Sequence, residues 1–180
     1  MDFFNINKIK CYYNGMKTIF LLMIFFTLNA ESIQIAELRK VYSNDMQKFS
    51  IGMTSFLCQP YGVVPLEEVL ANQALTSTCK QEIENYYLAN PTKKYFIDMA
   101  LYLRQNYHIV FKQRRCVIYA FGQKTLSEAL LEQGLAITQT NFNDDEFRYL
   151  YTKAQERAKR RSAGIWSDKK LQACITGLYK

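Results

Sequence analysis

Four of the five cysteines (Cys11 would leave with the N-terminal segment), one histidine and a run of basic residues carry the reactive or ligating chemistry of this chain beyond its carboxylates. Cys58, Cys79, Cys116 and Cys174 lie outside the first thirty residues. No two of them have the close spacing of a zinc site, so an even count reads as two structural disulfides with three connectivities open. Among these we choose Cys58 with Cys116 and Cys79 with Cys174. His108 is the only histidine. It falls in a predicted strand between Tyr107 and Ile109 with no acid or nucleophile in a recognisable pattern, which makes it structural rather than a general base. Lys153, Arg157, Lys159, Arg160 and Arg161 crowd one stretch. Such a cluster is either a phosphate-binding face or simply a solvated one. Tyrosines 61, 86, 87, 107, 119, 149 and 151 could stack on bases, but such residues more often fill a core and its rim.

The elements that position these residues can be read from periodicity and punctuation. Cys116 to Phe121 is β-branched and aromatic, a buried strand closed by Gly122. Thr125 stands three residues before Glu128, a capping box that starts a helix ended by Gly134. After a polar loop, Asn143, Asp144 and Asp145 open a second helix, where acids suit the macrodipole. Its apolar face is Phe147, Leu150, Tyr151, Ala154 and Ala158, and Gly164 closes it before Ile165 and Trp166. Earlier in the chain, Ile33 to Tyr42 predicts a strand, Ser43-Asn44-Asp45 a turn, Gln47 to Ile51 a second strand and Thr54 to Val64 a third. Glu67 to Ala74 fits a helical turn or a structured loop. Cys79 to Leu88 predicts a helix stopped by Asn90-Pro91. Thr92 to Gln105 reads as an amphipathic helix with Tyr95, Phe96, Met99, Ala100 and Leu103 on one face. Tyr107 to Phe111 is a strand that turns through Lys112 to Arg115 into the one at Cys116. The order is β-β-β-α-α-β-β-α-α, an α+β chain with no repeat, low-complexity tract or interdomain linker.

The first thirty residues differ in kind. Met16-Lys17 precedes the apolar run Ile19 to Leu28, and Ala30 offers a small residue for cleavage. That is the layout of a signal peptide, with Met16 as an alternative start. The run is half the length of a membrane span, which takes about 20 apolar residues; if uncleaved, it would be the only membrane attachment. The domain then occupies residues 31–180. Removing Lys8, Lys10, Lys17 and Asp2 lowers the net charge from +7 to +5. That surplus is compatible with a polyanionic partner.

Three stretches, SEALLEQGLA, AQERAK and GIWSD, occur in this order within the C-terminal half. In them the chain resembles the staphylococcal nuclease (thermonuclease) family, and the resemblance covers roughly a third of its length. It implies a five-stranded oligonucleotide/oligosaccharide-binding barrel with about three to four helices packed beneath. It also implies a mechanism. Calcium held by two aspartates positions water and phosphate, a glutamate acts as base or orients the water, and two arginines stabilise the charge growing on phosphorus.

Carried over residue by residue, the resemblance places a metal-binding acid at Asp45 in the first turn. At the same spacing Gln59 falls where the first arginine belongs, Val64 where the second calcium aspartate belongs, and Glu67 where the glutamate belongs. Glu68 would lie on a different side of the chain. The second arginine is Arg114 or Arg115. An alternative register lays Cys58-Gln59-Pro60-Tyr61 over the family's Asp-Thr-Pro-Glu and retains still less of the site. Valine cannot ligate a metal and glutamine carries no charge, so the expectation is an exported, periplasmic or secreted protein with impaired catalysis. Its cofactor would be calcium if active and none otherwise. Its partner would be single-stranded DNA or RNA, contacted through Gln59, Lys153, Arg157 and Arg160, or an envelope protein. The alternative is an active divalent-metal nuclease.

Overall fold

A computed structural model describes residues 32–178; residues 1–30, where the signal peptide is expected, lie outside the described residues. Strand β1 (Gln34–Val41) places Ala36 and Leu38 in the core, and turns through residues 42–46 into β2 (Gln47–Ile51), which pairs Leu38 with Phe49. β3 (Thr54–Cys58) follows by a hairpin, with Phe49 opposite Phe56. After β4 (Val63–Pro65) come four helices: α1 (Leu66–Ala71), α2 (Ser77–Ala89), α3 (Pro91–Lys94) and α4 (Phe96–Ala100). The chain returns as β5 (Asn106–Lys112), β6 (Arg115–Phe121) and the two-residue β7 (Lys124–Thr125). Helix α5 (Leu126–Glu132), β8 (Ala136–Thr138), α6 (Arg148–Arg160), a 3-10 turn (Gly164–Ser167) and α7 (Lys169–Leu178) complete it.

The class is α+β, as expected, and the strand arrangement fits an oligonucleotide/oligosaccharide-binding type of fold. In place of five strands closed into a barrel there is a six-stranded antiparallel sheet, ordered β3-β2-β1-β5-β6-β7, and a separate pair, β4-β8. No continuous ladder joins β3 to β6. The seam is bridged at one residue: the Cys116 N–H donates to the Gln59 carbonyl at 2.9 Å, and the Tyr61 N–H donates to the Cys116 carbonyl at 3.0 Å. The Cys58–Cys116 disulfide fastens the same point. The second disulfide, Cys79–Cys174, ties α2 to α7. Both pairings are those chosen from the sequence.

Several local readings hold for the reasons given. Thr125 and Glu128 form a reciprocal capping box. The Asp144 carboxylate accepts the N–H groups of Glu146 and Phe147 at 3.0 and 3.4 Å, but α6 itself begins only at Arg148, with no acid in its first turn. Gly134 and Gly164 both adopt positive φ and meet backbone to backbone, with the Ile165 N–H donating to the Gly134 carbonyl at 2.9 Å.

Other readings are corrected. Thr54 to Val64 is not one strand: β3 and β4 lie in different sheets, because the intervening residues turn aside to pair with Cys116. The polar loop after Gly134 contains β8, three residues long and too short to show a period. Leu150 faces solvent rather than the core. Thr92 to Gln105 is not one helix, and Tyr95, Met99 and Leu103 are exposed while Ile97 and Leu101 are buried. The cause lies some fifty residues upstream. In an unbroken helix the Ile97 N–H would bond to the Lys93 carbonyl. Instead the side chain of Asn44 inserts there: its Nδ2 donates to the Lys93 carbonyl at 3.0 Å and its Oδ1 accepts the Ile97 N–H at 3.0 Å. A side chain wedged into the helical ladder breaks the axis.

Candidate functional site

The turn between β1 and β2 is built from inside. Gln47, fully buried, donates from its side chain to the carbonyls of Ser43 and Asn44 at 3.0 and 3.3 Å, satisfying groups that a tight turn leaves unpaired. Asn44 is thereby turned inward and is only 1% exposed. Besides its bonds to Lys93 and Ile97, its Nδ2 donates to the Lys94 carbonyl at 3.1 Å and to Glu67 Oε1 at 2.7 Å. Asp45 stays half-buried and accepts a hydrogen bond from the Ser43 hydroxyl.

Glu67 enters from the first turn of α1. Burial raises its carboxyl to about 7 against the stabilising hydrogen bonds of its own backbone and of the Asn44 amide; the negative charge of Asp45 pushes the same way as burial. Burial, with the Glu67 charge beside it, also drives the Tyr87 phenol far above its ordinary range. Two of the carboxylates suggested by sequence, Asp45 and Glu67, are therefore neighbours. The residue that organises them, Asn44, read from sequence only as a turn former, because nothing local indicates that its amide points inward.

The remaining positions diverge from that cluster. Val64 is buried in β4 opposite Ile137, a core residue with no oxygen to offer. Gln59 is half-buried and its main chain is engaged at the seam between β3 and β6. Arg115 faces the other side of α1: it donates to the carbonyls of Val63 and Pro60 at 2.9 and 3.3 Å and pairs with Glu68 at 2.8 Å. Arg114 is exposed beside the left-handed Gln113 in the β5–β6 hairpin. His108 faces outward from β5, opposite Ile35 and Tyr119.

Calcium favours six to eight oxygen ligands. Among the described residues no group of three or more His, Cys, Asp or Glu side chains converges as a metal site. Of the two neighbouring acids, Glu67 carries a hydrogen-bond donor on one oxygen and has a raised pKa, and Val64, where the resemblance implies a second ligand, presents only a hydrocarbon side chain. This donor set does not fit the ion.

On the basic helix α6, Arg157 pairs with Glu132 at 2.7 Å, and Lys124 holds the same carboxylate at 2.8 Å. Burial works against the ionised Glu132, yet those two cations and their hydrogen bonds outweigh it and lower its pKa. Lys153 lies 5.4 Å from the Tyr149 ring, and Arg160 is exposed. Most of the tyrosines are core or rim residues. Tyr151 is fully buried, and Tyr61 packs edge-on against Phe142 while donating to Asp144 at 3.0 Å.

Both disulfides are consistent with an exported chain, and no helix among the described residues is long and apolar enough to cross a membrane. Residues 101–168 match the family model described as staphylococcal nuclease homologue. A search of curated proteins finds no match. The matched region runs from just before β5 to the end of the 3-10 turn; it contains Arg114, Arg115 and the basic helix, and it stops short of Asp45, Gln59 and Glu67. On that match, and on the sheet and helix order that carries it, the chain is staphylococcal-nuclease-like.

Proposed function

We propose that this is an exported staphylococcal-nuclease-like protein whose phosphodiester chemistry is impaired and whose role is binding. A domain of this kind points to nuclease-like or nucleic-acid-binding function. The observation that favours binding is the Asn44 amide, which joins Glu67 to the backbone of α3 and α4. A general base must reach a water near the phosphate and be ionised at working pH. Glu67 is instead half-buried, hydrogen-bonded to Asn44 and half-protonated near neutrality. The arginine held by Glu68 already satisfies two backbone carbonyls, so it would have to leave them to reach a phosphate. Basic residues on α6 with exposed heads, Lys153 and Arg160, support a sequence-independent contact with single-stranded nucleic acid; an envelope protein is the other class of partner.

The proximity of Asp45 to Glu67 favours the second reading, an active divalent-metal nuclease. The two readings separate in one assay, in which disulfide-intact protein is incubated with single-stranded DNA and calcium, with and without a chelator. We expect no digestion at concentrations where staphylococcal nuclease degrades the same substrate. Chelator-sensitive digestion that disappears in Glu67→Ala would establish the active enzyme. Oligonucleotide affinity measured at two salt concentrations addresses binding: loss of affinity with salt is expected, and an undetectable or salt-insensitive interaction overturns the nucleic-acid contact.

A further inference from the structure

Helices α2 to α4 do more than cover Glu67. With α1 and the β1–β2 turn they enclose two adjoining cavities, about 200 and 490 Å³, which meet at Glu67, Lys94 and Tyr95. The larger has apolar walls from Leu70, Tyr87, Leu88 and Pro91 and an acidic rim at Glu84; the smaller is lined by Val41 and Tyr42 with Asp98 at its edge. Large apolar side chains stand exposed around both mouths: Leu88 at 80%, Tyr95 at 55% and Tyr42 at 53%. Single exposed hydrophobics are ordinary, but several around a shared cleft mark an interaction site.

The charges decide what such a site accepts. Glu84 and Asp98 are exposed at the rims, with Glu67 between the cavities and Asp45 beside it. Against these four carboxyl groups stand two lysines, each already drawn over a ring. Lys40 lies 4.6 Å from the Tyr42 centroid and Lys94 lies 5.9 Å from that of Tyr95. A polyanion would bring phosphates to a predominantly acidic rim. A cationic side chain would find carboxylates and tyrosine faces together, a favourable combination. Rigid tyrosines flanking an apolar pocket are also the usual anchors of protein recognition.

We infer that this cleft docks a partner polypeptide through an aromatic or large aliphatic side chain seated in the larger cavity, next to an arginine or lysine that meets Glu84. The inference rests on the reading of Glu67 as a disabled base, since a working nuclease would need the same opening for nucleic acid. It assigns nucleic acid, if bound at all, to the basic helix rather than to this cleft.

The test uses the disulfide-intact protein and three probes: N-acetyl-Trp-Arg-amide, its acidic twin N-acetyl-Trp-Glu-amide, and oligo(dT). Backbone amide shifts at Leu88, Lys94 and Tyr95 report on the cleft. The cationic peptide is expected to move these amides and to bind about tenfold more tightly than its acidic twin. Glu84→Lys should reverse that order, and Tyr95→Ala should weaken both peptides about tenfold. Both substitutions are at exposed positions, and an unchanged melting temperature confirms that each variant is folded. Equal binding of the two peptides, no shift at these amides, or oligo(dT) moving the same amides with sensitivity to Tyr95→Ala would each overturn the inference. Nuclease activity measured on the same sample judges the underlying reading separately. Cleavage abolished by Glu67→Ala sinks the impaired site, whereas absent peptide binding in an inactive protein sinks only the docking cleft.

Discussion

The side-chain amide of Asn44 lies 2.7 Å from the carboxyl of Glu67 and in the same position replaces the helical hydrogen bond between Lys93 and Ile97. One buried side chain thus sets the environment of the candidate base and the path of the segment above it. Removing it should be costly. Asn44→Ala leaves the Lys93 and Lys94 carbonyls and the Ile97 N–H without partners in a site that water reaches poorly. With unsatisfied buried groups at about 1–3 kcal/mol each, partly relieved by relaxation, the expected loss is on the order of 3 kcal/mol in urea unfolding. A loss under about 1 kcal/mol would mean that the segment is held by its apolar contacts alone.

Glu67 also predicts a pH dependence. Its folded pKa, about 7, is raised above the ordinary carboxyl value of 4.5. Folding therefore favours the protonated form, and the associated stability is fully present below about pH 4.5 and is lost as pH rises through about 7. The difference in unfolding free energy between wild type and Glu67→Gln isolates this group, because glutamine keeps the shape and the acceptor for Asn44 without ionising. We expect wild type to lose a few kcal/mol relative to the variant between pH 5 and 8, measured by chemical denaturation across roughly that range. Parallel curves would show that Glu67 titrates normally.

What the sequence disclosed and what it withheld follow from the range of the interactions involved. The Thr125–Glu128 box, the Gly134 stop and the Ser43–Asp45 turn depend on neighbours within a few residues, and all were legible. The break at Tyr95 was not, because the group that causes it is Asn44; periodicity over 92–105 cannot register an acceptor contributed from another element. β4 and β8, at three residues each, exist through pairing with one another and carry no pattern of their own. At the site, the hydrogen bond from Asn44 to Glu67 joins residues 23 apart and leaves no local pattern to read. Which arginine turns back onto Pro60, Val63 and Glu68 depended on the hairpin at Gln113, whose length the sequence left open.

The paired glycines give a stability test away from the site. A Cβ on Gly134 would come within 2.0 Å of the Ala163 carbonyl oxygen, and one on Gly164 within 2.2 Å of the Gly134 carbonyl oxygen. Both residues also have positive φ, near +60°. Here the obstacle is backbone, which cannot swing aside like a side-chain tip. Gly134→Ala and Gly164→Ala should each cost about 2 kcal/mol or more, whereas Gly52→Ala, with nothing within 4 Å of the added carbon, should cost only its backbone strain. Equal effects at all three positions in a thermal melt would remove the close-approach explanation.

Cys58 and Cys116 fasten the seam that the sheet leaves open, and they close 58 residues of chain. Chain-entropy arguments assign a loop of that size about 4 kcal/mol, with wide scatter. The double substitution Cys58→Ser, Cys116→Ser is expected to lower stability by a few kcal/mol on the same argument and to raise hydrogen exchange at the Cys116 and Tyr61 amides that bridge the seam. Retained protection at both amides would show that backbone pairing holds the seam without the sulfur link.

The two adjacent arginines should separate structure from ligand contact. Arg115 is held by two carbonyls and Glu68 with little of its side chain exposed, whereas Arg114 projects from the hairpin. Arg115→Ala removes three donated hydrogen bonds and leaves Glu68 as a half-buried carboxylate without its partner, for an expected cost of about 2–4 kcal/mol. Arg114→Ala should change stability by less than about 0.5 kcal/mol, the usual scale for an exposed position. If the hairpin contributes to nucleic-acid contact, Arg114→Ala will also reduce the salt slope of oligonucleotide binding by about one unit, since each cation that neutralises a phosphate adds close to one to that slope. Arg115→Lys completes the set. A lysine cannot span Val63, Pro60 and Glu68 with a planar fork, so it should recover only part of the lost stability. Full recovery would mean that charge next to Glu68, rather than the fork geometry, is what the fold uses there.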